Sequence, residues 1–218
     1  MSSRDAILAR LRANRQETSP VVPLPPADAD VFLDLPEDDL NERVECFRQH
    51  LQALKGEFCL VLDARGALDQ MRRLLSGAEP GPWYRQDHPL LASVLAGDPE
   101  LAARFRPVAD LPPGAAAADC AVGLTTADFL VARTGSLIVR STNAGGRRLS
   151  VLPPLHLVLA RTAGVVGTLA DVFRQWPAAD DGWSYTAVVT GPSRTADIEK
   201  ILVLGAHGPK RLAVVLMP

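Results

Sequence analysis

An α/β protein with a mostly parallel, Rossmann-like sheet and flanking helices is the fold class that this sequence predicts, on three observations. Leu40, Val44, Phe47, Leu51 and Leu54 recur at intervals of three and four, the period of one helix face; residues 57–62 then lose it and read as a strand; and Leu68, Met71, Leu74 and Leu75 restore it. Residues 155–160, 185–190 and 211–217 are apolar, β-rich runs without polar alternation, which is how strands covered on both faces read. Helical patterns over 167–175 and 195–207 separate these runs, and strands joined through helices favour a parallel sheet.

Taken in order, Ser2 or Ser3 can cap a short amphipathic helix whose Ile7, Leu8 and Leu11 lie beside Arg4, Arg10, Arg12 and Arg15. The prolines among residues 20–26 remove donors and restrict their neighbours, so an extended linker follows. Residues 1–35 are therefore an arm and linker, and the globular domain spans 36–218. It opens with Pro36-Glu-Asp-Asp39, an acidic helix start. Residues 77–113 are punctuated by Gly and Pro around a short helical run at 90–95. Beyond them, 120–124, 128–132 and 137–141 are strand-like, and Thr134-Gly-Ser136 reads as the turn of a hairpin.

The whole composition narrows the functional classes. Among 218 residues, 47% are hydrophobic, and 23 basic side chains face 25 acidic ones, so no global field favours nucleic acid or an anionic membrane. No apolar run approaches the roughly 18 to 20 residues of a membrane span, and no secretory core follows Met1, so a cytoplasmic location is expected. Cys46, Cys59 and Cys120 are odd in number and far apart, with no CxxC spacing; His50, His88, His156 and His207 are equally scattered. No metal site and no cofactor bound by this chain is expected from these patterns.

Four segments hold side chains that can carry chemistry. In the Thr134-Gly135-Ser136 turn, Gly135 permits φ > 0 and two hydroxyls flank it. The loop 141–148 combines Asn143, Gly145, Gly146 and Arg147, although it lacks the P-loop spacing. Leu152-Pro-Pro-Leu-His156 places a histidine at a strand entry, either a base or a hydrogen-bonded core residue. Gly191-Pro-Ser193-Arg194-Thr195 reads as a strand-to-helix junction with Asp197 and Glu199 in the first turn, an anion site or a simple cap. His207-Gly-Pro then reads as the end of that helix.

Residues 127–136 (ADFLVARTGS), 149–156 (LSVLPPLH), 191–199 (GPSRTADIE) and 205–209 (GAHGP) together resemble, in that order, the lactate utilization protein C family with its LUD domain. The resemblance covers residues 36–218 and is most specific from Val122 onward. It implies a fold related to the sugar-phosphate isomerase and CoA-transferase superfamily. It also implies a subunit of a system oxidising L-lactate to pyruvate, in which iron–sulfur partner subunits carry the electrons. It brings no established catalytic residue. Such proteins usually carry Ala-Glu-Thr-Gly at the turn where this chain has Arg133, so a carboxylate base is missing there. The expectation is that Thr134–Ser136, Asn143–Arg147 and Ser193–Thr195, with His156, line one pocket for a small carboxylate or phosphorylated ligand. Two other readings stand beside it: a non-catalytic subunit that docks through its arm, and an independent CoA or sugar-phosphate transferase. A homo-oligomer is compatible with all three.

Overall fold

The computed structural model describes residues 3–14, 39–114, 119–141, 147–176, 185–195, 203–205 and 207–218. The chain divides into two units, residues 1–34 and 35–218. The first contains helix α1 (Ser3–Asn14), with Asp5 in its first turn and Ile7 exposed.

The second unit opens with α2 (Leu40–Ala53), where the Asp39 carboxylate accepts the Asn41 amide at 2.7 Å and caps the helix. Val44, Phe47 and Leu51 form its buried stripe. A turn at Lys55 (φ 70°), closed by the Gly56 amide on the Leu51 carbonyl at 2.9 Å, returns the chain into β1 (Glu57–Leu60). Helix α3 (Ala64–Leu75) is capped by Asp63 and buries Ala67, Leu68, Met71, Leu74 and Leu75.

The Gly- and Pro-rich middle folds into β2 (Trp83–Arg85), α4 (Pro89–Leu95), α5 (Pro99–Arg104) and β3 (Phe105–Pro107). Each of its helices starts on a proline behind a side-chain cap, His88 for α4 and Asp98 for α5. The remaining order is β4 (Val122–Thr126), β5 (Phe129–Val131), β6 (Ser136–Arg140), α6 (Arg148–Val151), β7 (Leu155–Arg161), β8 (Val165–Val166), α7 (Leu169–Gln175), β9 (Thr186–Val189), β10 (Arg194–Thr195), β11 (Val203–Leu204) and β12 (Arg211–Met217).

Six strands form one sheet in the order β1-β12-β7-β4-β2-β3, every pairing parallel, with Leu155 opposite both Arg211 and Val122. The period of two then sorts the core. Leu155, Leu157 and Leu159 pack with Val122, Leu124, Ala213 and Val215 against α3 and α4, while Val158, Ala160, Leu212 and Val214 face α2 and a second sheet. That second sheet, β8-β5-β6-β9, supplies Leu130, Ala132, Leu137 and Val139. The central strands are thus covered on both faces, as their unalternating sequences predict.

Two expectations change. The strand at 185–190 joins the second sheet, antiparallel to β6, instead of the parallel one. Its apolar run serves a sheet covered by the core on one side, and Val188 on the other side stays 53% exposed. The helix expected over 195–207 is strand at both ends: Arg194 pairs with Leu204 and Thr195 with Val203, and the Gly205 amide reaches the Ser193 carbonyl at 2.9 Å. β-Branched Thr195 and Val203 suit the pleated pair better than a helix turn. Residues 196–202 lie outside the described residues.

Candidate functional site

The hairpin turn between β5 and β6 is held from outside by two backbone bonds, Ala132 N–H to Val166 at 2.8 Å and Arg133 N–H to Gly167 at 3.1 Å. Gly135 has φ 63°, and a Cβ there would lie 2.5 Å from the Leu51 nitrogen and 2.8 Å from the His50 carbonyl carbon, so glycine alone fits against the end of α2. The turn thereby fixes two hydroxyls. Ser136 Oγ, in a residue only 3% exposed, lies 2.7 Å from Thr134 Oγ1 and 2.9 Å from Thr190 Oγ1. Three hydroxyls joined by two bonds keep one O–H and several lone pairs for a further partner, and the outer two residues are exposed.

The loop after β9 reaches the same end of α2. A Cβ on Gly191 would lie 3.0 Å from Leu54 Cβ and 3.8 Å from an Arg194 guanidinium nitrogen. Ser193 donates its amide to the Pro209 carbonyl at 2.9 Å, while Arg211 donates to Pro154 at 3.0 Å. Gly208 passes close to Ser193, 3.0 Å from a glycine Cβ position to Ser193 Cβ. The turn at 134–136 and the loop at 190–194 therefore meet through the Ser136–Thr190 hydrogen bond, beside the segments that feed the amino ends of β1, β7 and β12. Sequence reasoning expects such loops beside strand ends; the structure specifies the amino ends, whereas ligands of open α/β sheets usually lie at the carboxyl ends.

The third predicted loop is elsewhere. Asn143, Gly145 and Gly146 lie outside the described residues. Arg147 holds its guanidinium carbon 5.5 Å from the Tyr185 ring centroid, a cation–π distance, at the end of β9 opposite Thr190. Five residues of strand separate those ends by about 16 Å. Thr195 pairs through its backbone, and its side chain lies outside the described residues. His156 is fully buried on β7 between Gly123 and Leu212, with Nε2 2.9 Å from Thr125 Oγ1. Its Nδ1 has no hydrogen-bond partner among the described residues. Burial pushes its pKa down to about 3, so the ring is neutral near pH 7.

Sequence reasoning missed Thr190, which ends a β-branched run and reads only as strand. It also missed a polar group at the carboxyl edge. There Gln86 Oε1 accepts the Thr126 amide at 2.7 Å and its hydroxyl at 3.0 Å, and Arg140 grips Asp128 at 2.7 and 2.8 Å. Isolated Gln, Thr and Asp residues carry no spacing signal, and only sheet register brings them together. Nearby in the fold, His88 accepts the Leu90 amide through Nδ1, and burial lowers its pKa. Cys120 is buried and its thiol is pushed up to about 11, a chemically quiet state. Among the described residues, no three His, Cys, Asp or Glu side chains gather as metal ligands.

Residues 114–217 match the family model described as the LUD domain. The match covers a little under half of the chain. Lactate utilization protein C of Halalkalibacterium halodurans is 31% identical over 100 residues, 44% of each chain. Lactate utilization protein C 1 of Bacillus mycoides is 30% identical over 125 residues, 56% of this chain and 49% of that one. The Bacillus subtilis lactate utilization protein C is 32% identical over 102 residues, 44% of this chain and 42% of the other. These matches span less than half the length of each relative. In fold, the chain is similar to a DUF162 family protein from Deinococcus radiodurans, with TM-score 0.61 and 18% identity over 83% of this chain and 99% of that chain.

The LUD match contains both halves of the hydroxyl cluster, together with Ser193 and His156. Helix α2, against which Gly135 and Gly191 both pack, lies outside it. The site is therefore completed by a helix N-terminal to the LUD match.

Proposed function

We propose that this protein is a LUD-domain subunit of an L-lactate utilisation system, in which L-lactate is oxidised to pyruvate and iron–sulfur partner subunits carry the electrons. Its part is to bind the small carboxylate at the amino-edge loops. The observation that carries this reading is the Ser136–Thr190 hydrogen bond at 2.9 Å. It joins the Thr134–Ser136 turn to the loop that leads into Ser193 and Arg194, both within the LUD match. The spare O–H of the Thr134–Ser136–Thr190 chain suits an acceptor oxygen, and exposed Arg194 supplies the charge that a carboxylate requires. Removing two electrons and two protons from the 2-hydroxy acid needs an acceptor outside this chain, hence the partner subunits.

The family resemblance implies an acidic residue at the position of Arg133, so this turn carries no carboxylate base there. Reconstitution of lactate-dependent electron transfer with and without this chain tests the reading. Loss of transfer without the chain, and about tenfold weaker lactate dependence with Arg194→Ala, are expected. Full transfer in its absence would remove the role.

A further inference from the structure

Beyond the lactate reading, and at the other edge of the parallel sheet, the carboxyl ends of β2 and β4 open a second crevice. The two strands are neighbours, with Arg85 opposite Leu124. Past that pair their chains part to opposite faces of the sheet. Strand β2 continues into α4, whose Leu90, Leu91 and Val94 pack in one cluster with Leu68 and Met71 of α3. Strand β4 continues into β5, whose Leu130 packs in the other cluster with Val44 and Phe47 of α2. Neighbouring parallel strands whose connections diverge in this way leave a crevice outside their carboxyl ends, the usual ligand position of an open α/β sheet.

Gln86 forms the floor of this crevice. A backbone N–H can only donate, so the Gln86 atom 2.7 Å from the Thr126 nitrogen is Oε1, and the Thr126 hydroxyl donates to the same oxygen at 3.0 Å. Both bonds hold Nε2 on the far side of the amide. The residue is only 6% exposed, yet Nε2 makes no hydrogen bond among the described residues and is not enclosed. Two N–H donors therefore stand open on a side chain that cannot turn without giving up the Thr126 amide. His88 adds another. Its Nδ1 accepts the Leu90 amide at 3.1 Å and so carries no proton. Burial lowers the pKa of the ring, and the charges of Asp128 and Asp87 offset this only in part, so the ring is neutral near pH 7 with its proton on Nε2. That nitrogen, too, is unbonded among the described residues and not enclosed.

Charge decides the class of the occupant. Arg85 is half-buried, holds Nη1 3.5 Å from the Gln86 carbonyl oxygen and makes no ion pair among the described residues. Asp128, two residues beyond Thr126, is already engaged by Arg140 at 2.7 and 2.8 Å, and Asp87 is exposed. One uncommitted guanidinium beside neutral donors matches a single negative charge. We propose that the crevice between β2 and β4 binds a small carboxylate, whose oxygens accept from Gln86 Nε2 and His88 Nε2 and whose charge is met by Arg85.

The test uses the full chain and sodium acetate as the probe, followed by backbone, Gln side-chain and His ring NMR shifts against sodium chloride at equal ionic strength. Saturable shifts of the Gln86 side-chain amide, the His88 ring and the backbone amides of 85–88 and 126–128 are expected. Gln86→Glu keeps an acceptor for Thr126 and removes the donors, so it should abolish these shifts. Arg85→Gln should weaken binding about tenfold, the worth of one hydrogen bond to a charged group. Should Gln86→Glu fail to fold, Arg85→Gln decides alone, since its side chain is only half-buried. Any of three results overturns the proposal: shifts no different from those in chloride, shifts confined to the amino-edge turn at Thr134–Ser136, or equal affinity in wild type and Arg85→Gln. Saturation by inorganic phosphate but not by acetate would reassign the crevice to a dianion and overturn it as well. None of these readouts involves electron transfer, so this proposal and the lactate reading can each fail without the other.

Discussion

At the scale of single residues, Gly135 shows how one missing side chain builds the site. Its positive φ and the backbone of His50 and Leu51 both exclude a Cβ, whereas Gly114 has a similar φ of 65° with nothing within 4 Å. Gly114→Ala should therefore cost only the conformational strain, about 1 kcal/mol, and Gly135→Ala about 3 kcal/mol or more because α2 must also move. Urea denaturation of both variants compares them directly; equal losses would mean that α2 yields freely. The turn was legible in the sequence because glycine between two hydroxyl residues is a local signal. Thr190 was not, since its role depends on a hydrogen bond to a residue 54 positions away.

His156 carries a second prediction at this scale. Its folded pKa, about 3, lies below the unfolded value near 6.5, so the unfolded chain binds a proton that the folded chain refuses. The stability is fully present above pH 6.5 and falls as the pH drops from there toward 3. Between pH 7 and 5 this one ring should remove about 2 kcal/mol. The difference in unfolding free energy between those two pH values, compared in wild type and His156→Gln, isolates it from the other histidines. Identical pH dependence would show that the ring is protonated in the native state or that its burial is relieved.

Among elements, α7 is a short helix whose start is well fixed. Thr168 Oγ1 accepts the Asp171 amide at 3.2 Å, while the Asp171 carboxylate accepts the Thr168 amide at 2.7 Å, a reciprocal capping box. Thr168→Ala should lower stability by about 1 kcal/mol and increase amide exchange in α7 ahead of the rest of the chain, readable by hydrogen exchange; uniform exchange would place the cap's effect in global stability alone. Elements of this kind were the most legible, since the period at 167–175 and the apolar run at 211–217 are local patterns. The β10–β11 pair was not, because Ile, Leu and Val at helical spacing also satisfy a strand. The closing Gly205–Ser193 hydrogen bond decides between them, and no local period encodes it.

For the whole molecule, the sequence showed the parallel sheet through its unalternating strands but not the second sheet, whose strands are short and come from four separate segments. That division of labour determines where stability resides. Every buried hydrophobic residue of the described chain lies between Val44 and Met217, and both large core clusters are built from elements of the 35–218 unit. A chain beginning at Leu35 should therefore unfold cooperatively with a free energy within about 1 kcal/mol of the full-length value, the scale of a surface change. If the arm is the docking element for partner subunits, the same truncation should abolish co-purification with them while leaving that free energy intact. Chemical denaturation and co-purification on one preparation give the two results together. Unchanged co-purification would return docking to the globular unit, and a loss of several kcal/mol would make the arm part of the fold itself.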